Sequence, residues 1–191
     1  QFALAFNQLQ ADLLVELLSD SGLLLPKWRA LIDQLNPRGE LGAVRVGRTD
    51  QGAFVSAQLR DFSVDSWGGV PAIRGLDAEL ELQGERAVLA LQDADGLSLL
   101  LQPSYEQFIR ADSANGLISA AWSARSGEVA VAGQQLRAAA LGGSAVVDFY
   151  SHRADATSRA DSSFELRVTA EQLRGEQWSS YLPATLPETL L

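Results

Sequence analysis

Apolar residues recur along this chain at two periods, and the change comes at Glu40. Before it, Phe2, Phe6, Leu9 and Leu13 stand three or four residues apart, and Leu14, Leu17 and Leu18 widen the stripe. That spacing predicts an amphipathic helix over residues 2–18. Ser19-Asp20-Ser21-Gly22 ends it, with Gly22 suited to a left-handed cap. Pro26 opens a second short helix, with Trp28, Leu31, Ile32 and Leu35 on one face and Asn36-Pro37-Arg38-Gly39 as terminator. Residues 1–36 are thus expected to form a helical hairpin that precedes a β region over residues 37–191.

From Glu40 onward the period is two. Leu76, Ala78, Leu80 and Leu82 alternate with Asp77, Glu79 and Glu81, which predicts a strand apolar on one side and acidic on the other. Gly84 turns the chain, and residues 86–92 read as the hairpin partner. Leu97, Leu99 and Leu101 alternate again before Pro103, and further strands are expected at residues 116–125, 128–132, 136–140, 145–151 and 163–170. In the last, Phe164, Leu166 and Val168 share one side. One strand changes phase: Val55, Ala57 and Leu59 are odd, Phe62 and Val64 even, so a bulge is expected at Arg60-Asp61. Asp50-Gln51-Gly52, Asp95-Gly96, Ser126-Gly127 and Gly142-Gly143 read as turns, and residues 152–162 as an exposed polar loop. Strands every 10 to 15 residues fit an antiparallel meander better than βαβ units. The expected class is therefore mainly β within α+β.

Composition narrows the function. The 191 residues carry a formal net charge of −9, which repels phosphate backbones and argues against nucleic acid as a partner. Hydrophobic residues make up 47% and charged residues 20%, enough to build a core. Zero cysteines excludes disulfides and thiol chemistry. No apolar run approaches the roughly 18 residues that span a bilayer, so a membrane anchor is expected outside this chain. Gln1 at the start and the Glu188-Thr189-Leu190-Leu191 ending suggest a segment of a longer protein.

Catalytic candidates are few. His152 is the single histidine, and a general base needs a positioned nucleophile and an orienting partner, neither of which the sequence supplies. Asp93-Ala94-Asp95-Gly96 begins like a calcium loop, but the later ligands are missing, so a turn is expected. Trp67-Gly68-Gly69 lacks the Lys-Ser/Thr of a phosphate loop and reads as a buried corner, and Ser63 and Ser66 read as structural. No enzyme, catalytic residue, metal or cofactor is expected. What remains is the apolar strand faces, each of which needs cover because exposing them costs roughly 25 cal/mol per Å². Two short helices are too little cover for so many strands. Either the sheet doubles on itself, or part of its apolar side stays open for a ligand.

Several short motifs stand in a fixed order: Leu35-Asn36-Pro37-Arg38-Gly39-Glu40-Leu41, Leu59-Arg60-Asp61-Phe62-Ser63-Val64, and Trp67-Gly68-Gly69-Val70-Pro71-Ala72-Ile73-Arg74-Gly75-Leu76. Tyr181-Leu182-Pro183 and Leu186-Pro187 follow late in the chain. Their order resembles the YhdP-like proteins of the AsmA family in Gram-negative bacteria. The resemblance implies a curled, open antiparallel β-groove. It further implies a periplasmic segment of an inner-membrane-anchored protein that carries phospholipid acyl chains between the two membranes. Neighbouring β-groove segments of the same protein would be its other partners. On this view Leu76, Leu80, Leu82, Leu97, Leu99, Phe164, Leu166 and Val168 line the groove. The competing expectation is a β-rich scaffold for protein interaction with no ligand, in which the same residues fill a core.

Overall fold

Period-two patterning becomes a single antiparallel sheet. The computed structural model describes residues 2–20, 26–50, 52–66, 71–92, 96–100, 107–123, 125–140, 143–154 and 162–171. Strand β1 (Phe2–Gln10) leads directly into helix α1 (Ala11–Asp20), and helix α2 (Pro26–Leu35) precedes β2 (Arg38–Thr49), β3 (Gly52–Val64) and β4 (Ala72–Gln83). Then come β5 (Arg86–Leu91), two short strands β6 (Ser98–Leu100) and β7 (Ile109–Arg110), and β8 (Ser113–Trp122). The chain continues through β9 (Val129–Ala140), β10 (Gly143–Arg153) and β11 (Ser162–Glu171). The order across the sheet is β1-β2-β3-β4-β5-β8-β9-β10-β11, so among the described residues β1 and β11 are the edges and the sheet does not close. Where β5 stops pairing with β4, Ala72–Arg74 of β4 pairs instead with β6, which carries β7.

The chain start departs from the helix expected over residues 2–18. Residues 2–10 form an edge strand, with Leu4 opposite Val46 and Phe6 opposite Val44, and only residues 11–20 are helical. The physical reason is the unpaired edge of β2. It offers a ladder of backbone hydrogen bonds, and tertiary pairing overrides a local helical pattern. Leu4 and Phe6 alternate at period two within the same stretch, so both readings were written there. The second helix forms where Pro26 starts it. Asn36, at φ 46°, ends it in the left-handed conformation, and its side-chain Nδ2 donates to Asp65 Oδ2 at 2.9 Å.

Bulges bend the strands. The phase change at Arg60-Asp61 is a register shift between Leu59 and Phe62, with Asp61 at φ 46°. The two strands expected at residues 128–132 and 136–140 are one, β9, which passes through a similar bulge at Gln135, φ 49°. A third lies in β2 at Ala43, φ 48°. Two of these bulges share a clamp. The Asp61 N–H donates to Asp77 Oδ1 at 2.8 Å, and the Gln135 N–H donates to Asp148 Oδ1 at 2.7 Å. In each case an aspartate on the next strand satisfies the backbone donor that the bulge frees from the ladder.

The core sits at one end of the sheet. Leu41, Leu59, Leu76, Ala78 and Ala114 are buried there together with Ala11 of α1 and with Leu97 and Ala111, which flank the β6–β7 corner. Val44 is fully buried, and Leu9 and Leu14 pack against the same cluster. Among the described residues no polar or charged side chain is buried. Residues 152 and 153, expected in a loop, end β10 instead. The turn at residues 93–95, Trp67-Gly68-Gly69, Gly22, residues 155–161 and Tyr181-Leu182-Pro183 lie outside the described residues.

Candidate functional site on the apolar face of the sheet

Cross-strand partners in an antiparallel pair point to the same side, so register alone sorts the sheet into two faces. On one face the pairs link into three rows that run across the strands. The outer row starts with Leu4, Val46, Val55 and Leu82 on β1 to β4 and continues through Ala87, Ala120 and Val131 on β5, β8 and β9. It ends at Ser151 on β10 and position 164 on β11. The middle row begins with Phe6 and Val44 and resumes past the β2 bulge at Ala57. It then runs through Leu80, Leu89, Ile118, Gly133 and Phe149 to position 166. The inner row joins Leu9, Leu41, Leu59, Ala78, Leu91 and Gly116, and beyond the β9 bulge Leu136, Val147 and Val168. No position in the three rows is charged, and Ser151 is the one polar residue among them. Nine strands at about 4.8 Å spacing make each row roughly 40 Å long.

The rows differ in cover. The inner row from β1 to β5 lies in the closed core: Leu41 and Leu59 are each 5% exposed, and α1 packs on β1 and β2 beside them. The outer row lies near the turns at Asp50 and Gly84 and is not closed over. Leu4 is 56% exposed, and Val46, Val55, Leu82, Ala87 and Ala120 are half-buried. A depression of about 790 Å³ at this end of the sheet is lined from both faces, by Val55, Leu82, Ala87 and Trp122 of this one and by Phe54, Glu81 and Val88 of the other. On β9 and β10 the inner row is half-buried at Leu136 and Val147, and Val168 on β11 is 55% exposed.

The opposite face is mostly hydrophilic, with Glu79, Glu81 and Gln83 exposed on β4, Arg137 on β9, and Glu165 and Arg167 on β11. Val88, Leu117 and Tyr150 are the large apolar or aromatic residues exposed there. His152 belongs to this face, with Nε2 2.9 Å from Glu128 Oε1, so it sits at a strand end in an ion-pairing position and not in a free loop. Among the described residues no cluster of His, Cys, Asp and Glu could hold a metal.

The residues singled out from the sequence divide by depth. Leu82 stands in the outer row and Leu80 in the middle one. Leu76 and Leu97 are 4% and 5% exposed inside the core, and Leu99, opposite Ile73, packs on that core. Phe164, Leu166 and Val168 occupy one register position in each row on β11. Sequence reasoning passed over Leu4, Val46, Ala87, Ala120 and Val131. Period two marks Leu4 and Val46, but alanines carry no face signal and take their meaning only from register.

Comparison with curated proteins and with solved structures gives no match. The family model described as YhdP protein matches residues 1–191, the whole of this uncharged-faced open sheet with its helical lead-in, and the chain belongs to the YhdP family.

Proposed function

We propose that this chain is a length of hydrocarbon conduit, which carries phospholipid acyl chains along the apolar face of its sheet without covalent chemistry. The observation that carries this reading is the set of three charge-free rows running from one free edge of the sheet to the other. A hydrocarbon chain needs only apolar contact, which such a face supplies at roughly 25 cal/mol per Å². A polypeptide laid along it would leave backbone donors and acceptors without partners, which costs several kcal/mol. Period-two strands supply both environments at once: lipid tail on one side, water on the other. Conveyance needs neither nucleophile nor metal, only weak, repeated, non-specific contact.

Membership of a cell-envelope family supports this reading. The chain is then a periplasmic segment of an inner-membrane-anchored protein, its free edges β1 and β11 meeting neighbouring groove segments and passing phospholipid between the two membranes. Among the described residues no helix is long and apolar enough to cross a membrane, so on this reading the anchor lies elsewhere in the protein.

The test is lipid content. The chain purified without detergent should yield phospholipid on organic extraction and mass spectrometry. A preparation that is folded by circular dichroism, lipid-free, and unable to take up phospholipid from vesicles of phosphatidylethanolamine and phosphatidylglycerol would defeat the reading.

A further inference from the structure

Part of the apolar face is buried. Over β2 to β4 the inner row lies under α1 and the residues flanking the β6–β7 corner, and the middle row is buried at Val44 and Ala57, 0% and 7% exposed. Among the described residues only the outer of the three rows holds no buried residue. Beyond it, toward the strand ends, the turns present Asp50 and Glu85, and Trp122 stands half-buried beside them. This arrangement is amphipathic across its width: a sealed wall inside, an apolar floor, and a wet, charged margin outside. A tryptophan at such a margin suits the boundary between hydrocarbon and headgroup.

We infer that acyl chains travel in a single outer lane, floored by Leu4, Val46, Val55, Leu82, Ala87 and Ala120, with the headgroup turned toward the Asp50 and Gly84 turns. The inference rests on the conduit reading and adds a position, a width and a lipid orientation to it. Inner residues such as Leu59, Leu76 and Leu97 act as the wall of the lane and do not touch lipid. From β9 onward the inner row is no longer buried, with Leu136 and Val147 half-buried and Val168 exposed, and the lane widens there beside Val131 on its floor.

Site-specific photocrosslinking in the full-length protein in cells tests this. p-Benzoylphenylalanine is placed in turn at Val46, Leu82 and Val131 in the lane, at Leu14 on the helix over the sealed half, and at Ser119 on the opposite face. Lipid adducts are expected at the three lane positions and at least about tenfold fewer at Leu14 and Ser119, a ratio equivalent to one factor of ten in occupancy. Adducts at Leu14 as strong as those at Leu82 would overturn the lane while leaving the conduit intact. Adducts at none of the five positions, with the protein folded, would overturn the conduit itself. As a second measurement, Leu82→Asp should lower co-purifying phospholipid about tenfold, while Ser119→Asp leaves it within twofold. Equal retention in both variants would likewise overturn the lane.

Discussion

Gly116 and Gly133 show at the scale of single residues how this sheet tolerates its own bends. A Cβ on Gly133 would lie 2.2 Å from Phe149 Cε1, so the ring of Phe149 lies directly over the glycine of the neighbouring strand. Gly116 adopts φ +140°, and a Cβ there would meet the Leu136 backbone at 2.9 Å. Gly116→Ala should therefore cost about 3 kcal/mol, combining backbone strain with a collision that cannot move aside. Gly42→Ala, whose new atom would sit 3.6 Å from a flexible Gln58 side chain, should cost less than about 1 kcal/mol. Urea denaturation of the two variants tests that order. Asp148 acts at the same scale: with its carboxylate removed, the Gln135 N–H in the bulge loses its charged partner. Asp148→Ala should destabilise by about 1–2 kcal/mol, and Asp148→Asn, which retains a carbonyl acceptor, by less. His152→Ala should shift stability by less than about 1 kcal/mol, since its hydrogen bond with Glu128 is largely solvated.

At the scale of elements, the alternation of a strand is easy to read when its two sides differ strongly. Leu76 to Leu82, flanked by Asp77, Glu79 and Glu81, is such a case, and β4 with its β5 hairpin forms as that pattern predicts. Phase change at Arg60-Asp61 was legible because Leu59 and Phe62 are both large. The same event in β9 was not, because Val129 and Val131 pass into Leu136 and Ala138 through Gly133-Gln134-Gln135, which has no apolar side chain to mark the switch. The chain start failed for a different reason. Phe2, Phe6 and Leu9 satisfy a helical stripe, while Leu4 and Phe6 satisfy a strand, and only the free edge of β2 decides between them. Depth along a strand then sets energetic weight. Leu59→Ala, in the closed core, should cost about 3 kcal/mol by thermal or chemical unfolding. Leu4→Ala, at 56% exposure on the edge strand, should stay within about 0.5 kcal/mol.

For the molecule as a whole, the open sheet is the central fact. Its stability rests on a core gathered at one end, which leaves part of the apolar side only half-buried. Substitutions in the outer lane and in the core should accordingly separate two properties. Val55→Asp, on the half-buried floor, should reduce lipid retention with little loss of fold, whereas Ala114→Asp, at 5% exposure, should prevent folding. Circular dichroism alongside lipid extraction distinguishes the two. Ser151→Val makes the outer row wholly apolar and should raise retained lipid relative to the parent chain.

By itself the sequence determined the material: period-two strands apolar on one side, most of their turns, the second helix, and family-bearing motifs such as Leu59-Arg60-Asp61-Phe62-Ser63-Val64. These are local properties, set by which side chains alternate and where the backbone can turn. Tertiary structure alone decided the rest. It set the strand role of residues 2–10, the continuity of β9 through its bulge, the linking of Leu4 to Ser151 in one row, and the separation of half-buried Leu82 from buried Leu76. Each of these depends on which strand lies beside which and what covers the result. An alternating strand carries the same pattern whether its apolar side meets a helix, another strand's side chains, or a lipid.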